Sequence, residues 1–202
     1  MKPMQATKRM KDIHIRAALK RKLSAFYGGC SEALVVEEMG LRDGAARIDV
    51  AVISESLHGF ELKSDSDRVD RLPRQCAAYA AIFDRMTLVV GPRLREKATE
   101  LIPSWWGIEL AEQGVDGGIL FETIRTAEEN LSIDALALAK LLWREEALAL
   151  LIEIGHARGV LSKPRARIHA RLAEASDLAF LRYRVRDRLR NRAAWRFDAP
   201  QK

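Results

Sequence analysis

The pattern of apolar and polar positions turns on the stretch from Arg47 to Lys63, RIDVAVISESLHGFELK. Two short apolar runs, Ile48 to Ile53 and Leu57 to Leu62, flank the polar link Ser54-Glu55-Ser56. β-Branched residues dominate the first run and the link holds turn formers, which predicts a β-hairpin or two adjacent strands. Three charged groups interrupt these runs: Asp49, Glu61 and Lys63. Strand side chains alternate, so Glu61 and Lys63 share one face while Phe60 and Leu62 share the other. An acid and an amine at the end of so apolar a strand need a reason. A buried charge is costly unless it is paired or binds a metal.

Elements on either side follow from the same reading. Ile13, Ala17, Leu23 and Phe26 form a helical stripe over residues 11–27, ending at Gly28-Gly29, which can supply a left-handed cap. Residues 33–39 read as a strand, and the loop Gly40 to Ala45 turns back into the strand that carries Asp49. Residues 64–70, SDSDRVD, can cap a helix starting near Arg68, with Val69, Leu72, Cys76, Tyr79, Ala80 and Phe83 at helical spacing. That helix sets Gln75 and Tyr79 on one face, and Pro73 fits only in its first turn. Met86 to Gly91 is a fully apolar strand of the kind covered on both faces. GIEL after Trp105-Trp106 and GILFETIR after Gly117-Gly118 predict a further hairpin. From Ile133 to Ile154 the pattern becomes one helix rich in Ala and Leu, ended by Gly155 and Gly159. Residues 164–196 read as helical, with Leu178, Leu181, Val185 and Leu189 as an apolar stripe and arginines elsewhere. The change of pattern divides the chain into an α/β part, 1–130, and a helical arginine-rich part, 131–202.

Composition narrows the function classes. Cys30 and Cys76 stand far apart without CxxC spacing, which argues against structural zinc or a disulfide framework and fits a reducing cytosol. No apolar run approaches the roughly 18 residues of a membrane span, and the basic N-terminus lacks a signal-peptide core, so a cytoplasmic protein is expected. His14, His58, His156 and His169 show no metal-binding spacing, and neither GxSxG nor GxxxxGK[ST] occurs. Net charge is +6, unevenly placed: residues 156–202 hold 13 Lys or Arg against 4 Asp or Glu, whereas the first 155 hold 21 against 24. A basic tail points to a polyanionic partner, with nucleic acid leading. Arg182, Arg186 and Arg190 form one helical row, and Arg184, Arg188 and Arg192 a second.

The order helix–strand–strand–strand–helix–strand, with Asp49, then Glu61-Leu62-Lys63, then Gln75 and Tyr79, resembles the PD-(D/E)XK nuclease superfamily, including its RecB-type members. The likeness covers about residues 11–91, with Ile48 where the superfamily name has Pro. It implies a restriction-endonuclease-like α/β core with a central mixed sheet flanked by helices, followed by a C-terminal helical basic region. It implies a metal-dependent nuclease cutting DNA to 5′-phosphate and 3′-hydroxyl ends. Mg²⁺, or Mn²⁺, would be held by Asp49, Glu61 and the Leu62 carbonyl, with Glu37 preferred over Glu38 as a further acid. A divalent ion neutralises charge on phosphate and activates water, and Mg²⁺ prefers oxygen ligands. Lys63 would orient the attacking water, Gln75 hold an ion-bound water or a phosphate oxygen, and Tyr79 touch the nucleic-acid backbone, which Arg182, Arg186 and Arg190 of the basic tail would grip by charge. DNA is favoured over RNA, no membrane partner is expected, and a homodimer is implied by members that cut both strands. Two other functions stay open: a non-catalytic nucleic-acid binder on the same fold, and a scaffold whose basic helices dock a partner. Tyr79 equally suits core packing with a wet hydroxyl.

Overall fold

A computed structural model of the chain describes residues 10–29, 33–41, 44 and 46–192. Helix α1 (Asp12–Tyr27) leads into three strands, β1 (Leu34–Leu41), β2 (Ala46–Ile53) and β3 (Leu57–Lys63). Then come α2 (Leu72–Ala80), β4 (Arg85–Val90), α3 (Arg95–Thr99), β5 (Gly107–Gln113) and β6 (Ile119–Arg125). Four helices follow: α4 (Ala135–Ala139), α5 (Arg144–Glu153), α6 (Arg165–Ala175) and α7 (Leu178–Arg190). The strands form one six-stranded sheet in chain order. It is mixed: β3–β4 and β4–β5 are parallel, the other pairs antiparallel. The expected α/β architecture, with a mixed sheet flanked by helices, is therefore present.

Alternation along the strands feeds two apolar layers. On one face Val50, Val52, Phe60, Leu62 and Val89 meet Ile15, Leu19 and Leu23 of α1. On the other, Ala51, Ile53, Leu57, Leu88 and Val90 join Leu72, Cys76 and Tyr79 of α2 and the apolar sides of α4 to α7 in one continuous core. The C-terminal helices thus seat on the sheet, with Leu181, Val185 and Leu189 fully buried.

Several local expectations are corrected. The buried stripe of α1 is Ile15, Ala18, Leu19 and Leu23, whereas Ile13 and Phe26 are exposed, so the apolar face lies rotated from the expected one. Gly28 ends α1 at φ −63, in the right-handed region, not as a left-handed cap. The segment after β3 delays its helix: Asp67 accepts from the Ser64 amide at 2.6 Å and its hydroxyl at 2.7 Å, closing a turn, and α2 starts only at Leu72. The single helix expected over 133–154 is broken between Lys140 and Trp143. There Trp143 is extended and Glu146 reaches back to accept from its amide at 2.7 Å. Gly155 and Gly159 do adopt positive φ, 75° and 82°, which a glycine tolerates without steric cost. Residues 164–190 form two helices, because Ser176 is extended and Asp177 caps α7 by accepting from Phe180 N at 2.8 Å. The last residues of that expected helix, 193–196, lie outside the described residues. Among the described residues no helix is long and apolar enough to cross a membrane.

Candidate functional site

The three charges on the β2–β3 hairpin meet at its open end. The ladder between these strands stops at Val50 opposite Phe60. One step further Asp49 stands opposite Glu61, and the strands part. The Leu62 amide donates to Asp49 Oδ2 at 2.8 Å in place of a ladder bond. This departure opens a pocket of about 840 Å³ that Asp49, Glu61, Leu62, Lys63 and Gln75 line together.

Glu61 is almost fully buried, at 1 % exposure, on the α2 side of the sheet. Lys63, on the same face, is its ion-pair partner. Gln75 Nε2 donates to Glu61 Oε1 at 2.5 Å. Tyr79 Oη lies 2.8 Å from Glu61 Oε2 and 2.7 Å from the Arg47 carbonyl. The phenol has one proton and the carbonyl can only accept, so a second proton is needed to satisfy both contacts. Burial, and then the charge of Asp49, push the Glu61 pKa above the usual carboxylate range, against the opposing pull of Lys63 and of the Tyr79 hydroxyl. Burial likewise raises Asp49, opposed by the Leu62 amide, Arg16 and Lys63.

Asp49 has a partner that the sequence did not reveal. Arg16, from α1, donates to Asp49 Oδ1 at 3.0 Å and to the Asp49 carbonyl at 3.1 Å, while also holding Asp12 and Glu38. Nothing in the local pattern of α1 signals this, because the contact spans 33 positions of chain. Glu38 faces Asp49 across β1–β2 with φ 52, uncommon for a non-glycine residue, and also pairs with Arg47 at 2.5 Å. Glu37, the expected further acid, pairs with Lys20 and does not line the pocket. Exposed Arg47, Arg68 and Arg71 form the rim.

The donor set is of oxygen type. Among the described residues no three His, Cys, Asp or Glu converge on one point. Two carboxylates and a backbone carbonyl suit a hard cation that keeps several waters, and not zinc. Gln75 Oε1 is buried with no hydrogen-bond partner, its amide orientation set by Glu61 and Tyr79. An orphaned acceptor beside Glu61 fits the proton of an ion-bound water.

The tail arginines lie elsewhere. Arg182 and Arg186 bind Asp84, at 2.6 Å and 3.5 Å, and Arg182 also reaches Glu129. Asp84 precedes β4 and accepts from Leu57 N at 2.6 Å, at the opposite end of β3 from Lys63. A strand of seven residues separates the two places, about 20 Å. Arg190 continues the same row. In the second row, Arg184 pairs with Glu153 at 2.5 Å and Arg192 with Glu146.

Fold and pocket together define an α/β protein with a charged cleft at the carboxyl ends of parallel strands, the usual place for a ligand in such sheets. The chain belongs to the family described as Bacteriophage P4 protein cII, which matches over residues 5–197. Protein cII of Enterobacteria phage P4 is 26% identical over 128 residues, 63% of this chain and 48% of that protein, so the match spans about half the relative's length. A solved structure, that of Pyrococcus furiosus SfsA in complex with Ca²⁺, aligns at 13% identity over 58% of this chain and 65% of that one, with a TM-score of 0.34. Family membership overturns the resemblance to PD-(D/E)XK nucleases, and with it the expected Mg²⁺-dependent deoxyribonuclease and hydrolase. The structure supplies a physical reason for the misreading. Both carboxylates have cationic partners of the chain's own, Arg16 and Lys63, so their burial has a reason that requires no catalysis.

Proposed function

We propose that this protein binds nucleic acid at the cleft, with a divalent cation as bridge and hydrolysis forming no part of the reading. The observation that carries it is the charge balance of the lining. Five acids (Asp12, Asp49, Glu61, Asp67 and Asp70) face five bases (Arg16, Arg47, Lys63, Arg68 and Arg71). Such a cleft has no net pull on a phosphate. A cation held by Asp49, Glu61 and the Leu62 carbonyl would tip it positive, and a backbone would then meet exposed Arg71 and draw exposed Arg47 and Arg68 from their pairs with Glu38 and Asp70. Gln75 would accept from an ion-bound water, and Lys63 would keep Glu61 in place. Mg²⁺ supplies oxygen-seeking charge there. As to fold, we read α1 through β4 as a restriction-endonuclease-like arrangement, on connectivity alone and without its chemistry.

The test is fluorescence anisotropy of labelled duplex and single-stranded DNA, in EDTA and then in Mg²⁺ or Ca²⁺. Binding should tighten on adding either ion. Asp49→Asn and Glu61→Gln should each abolish that increment while circular dichroism stays unchanged. Equal affinity in EDTA and in Mg²⁺ would sink the reading.

A further inference from the structure

We propose that the outer face of α6, with the loop before it, is a docking surface for the sugar–phosphate backbone of duplex DNA, separate from the cleft. Lys163, Arg167 and Arg171 follow one another at intervals of four residues. Arg167 and Arg171 stack along one side of α6, about 6 Å apart along its axis, and Lys163 stands in the loop just before its N-cap Pro164. All three are exposed, and none of their side chains has a hydrogen-bond or ion-pair partner among the described residues. Arg158, in the preceding loop, is exposed in the same way. The inner face fixes the orientation: Ile168, His169 and Leu172 are buried in the core.

Like charges at this spacing repel, by about 0.2–0.5 kcal/mol per pair. On α7 the chain neutralises its arginines with Asp84, Glu129 and Glu153. On α6 the one acid, Glu174, pairs with none of the three, so their charge is left open to a partner. Protein interfaces exclude charge from their centres and favour aromatic anchors, whereas the exposed side of α6 has no large apolar group and the loop before it exposes Leu161 alone. A membrane-surface helix would need its apolar face free, whereas that of α6 is in the core. A regular row of cations alone matches a polyanion whose charges repeat.

The test is a salt titration of duplex binding in EDTA, which removes any cation contribution from the cleft. Replacing Lys163, Arg167 and Arg171 together by Ala should cut the slope of log affinity against log salt by about 2.7, three contacts at ~0.9 each. The double variant Arg167→Lys, Arg171→Lys should keep the slope, and Arg184→Ala, which breaks an internal pair, should leave it intact. An unchanged slope in the triple variant overturns the proposal, as does equal affinity of the wild type for poly-glutamate. The cleft reading fails on a different result, a missing Mg²⁺ increment, so the two stand or fall separately.

Discussion

His58 shows how one buried side chain sets a pH response. Its ring stacks on Phe60 with centroids 4.3 Å apart, and Nε2 lies 2.8 Å from Thr87 Oγ1. Burial, aided by the charge of Arg85, lowers its pKa from 6.5 to about 4. The folded chain keeps this ring neutral where the unfolded chain would protonate it. Stability from His58 is therefore complete above pH 6.5 and is lost as pH falls toward about 4. Thermal melts of the wild type should drop across that window, by up to about 3 kcal/mol, and His58→Gln should flatten the drop. A variant with the wild-type pH profile would show that other groups dominate. Tyr79 carries a different lesson. Its ring is core, as one sequence reading allowed, yet its hydroxyl also joins Glu61 to the Arg47 carbonyl.

At the scale of elements, the break between α4 and α5 is decided by partners far along the chain. Ending a helix frees carbonyls, which need donors when buried. Arg192 donates to the Leu141 carbonyl at 2.7 Å, and the His169 ring nitrogen lies 3.0 Å from that of Leu142. Arg192 also pairs with Glu146 and lies over the Trp143 ring at 4.6 Å. Arg192→Ala should destabilise the protein by about 2 kcal/mol, read in urea unfolding, because it leaves a buried carbonyl and a carboxylate unpaired. A loss below the fitting error would show that water replaces it. The arginines of α7 work the same way. Asp84 gathers Arg182, Arg186 and the first amide of β3, tying the last helix to the sheet.

For the whole molecule, the core on the α2 side runs unbroken from Val36 of β1 to Leu189 of α7. Removing α4 to α7 would expose the sheet face beneath them. Unfolding of the full chain should therefore give coincident transitions by far-ultraviolet circular dichroism and tryptophan fluorescence. Two separate transitions would mean that the C-terminal helices melt on their own. The cleft and the α6 row sit on this shared frame, one at the carboxyl ends of β3 and β4, the other on an outer helix face.

The hairpin, its alternation, the buried strand at Met86 and the helix stop at Gly155 were legible in the sequence. Each depends on neighbours a few residues away, where periodicity and turn chemistry carry the information. So was the grouping of Glu61 and Lys63 on one face, since the pleat alone dictates it. The partners of those charges were not legible. Arg16 reaches Asp49 from another element, and tail arginines that look free in the sequence, Arg182, Arg184, Arg186, Arg188 and Arg192, are held by Asp84, Glu129, Glu146 and Glu153. Whether a charge faces solvent, a ligand or an acid of its own chain depends on contacts between distant segments. Only the packing of helices onto both faces of the sheet decides that.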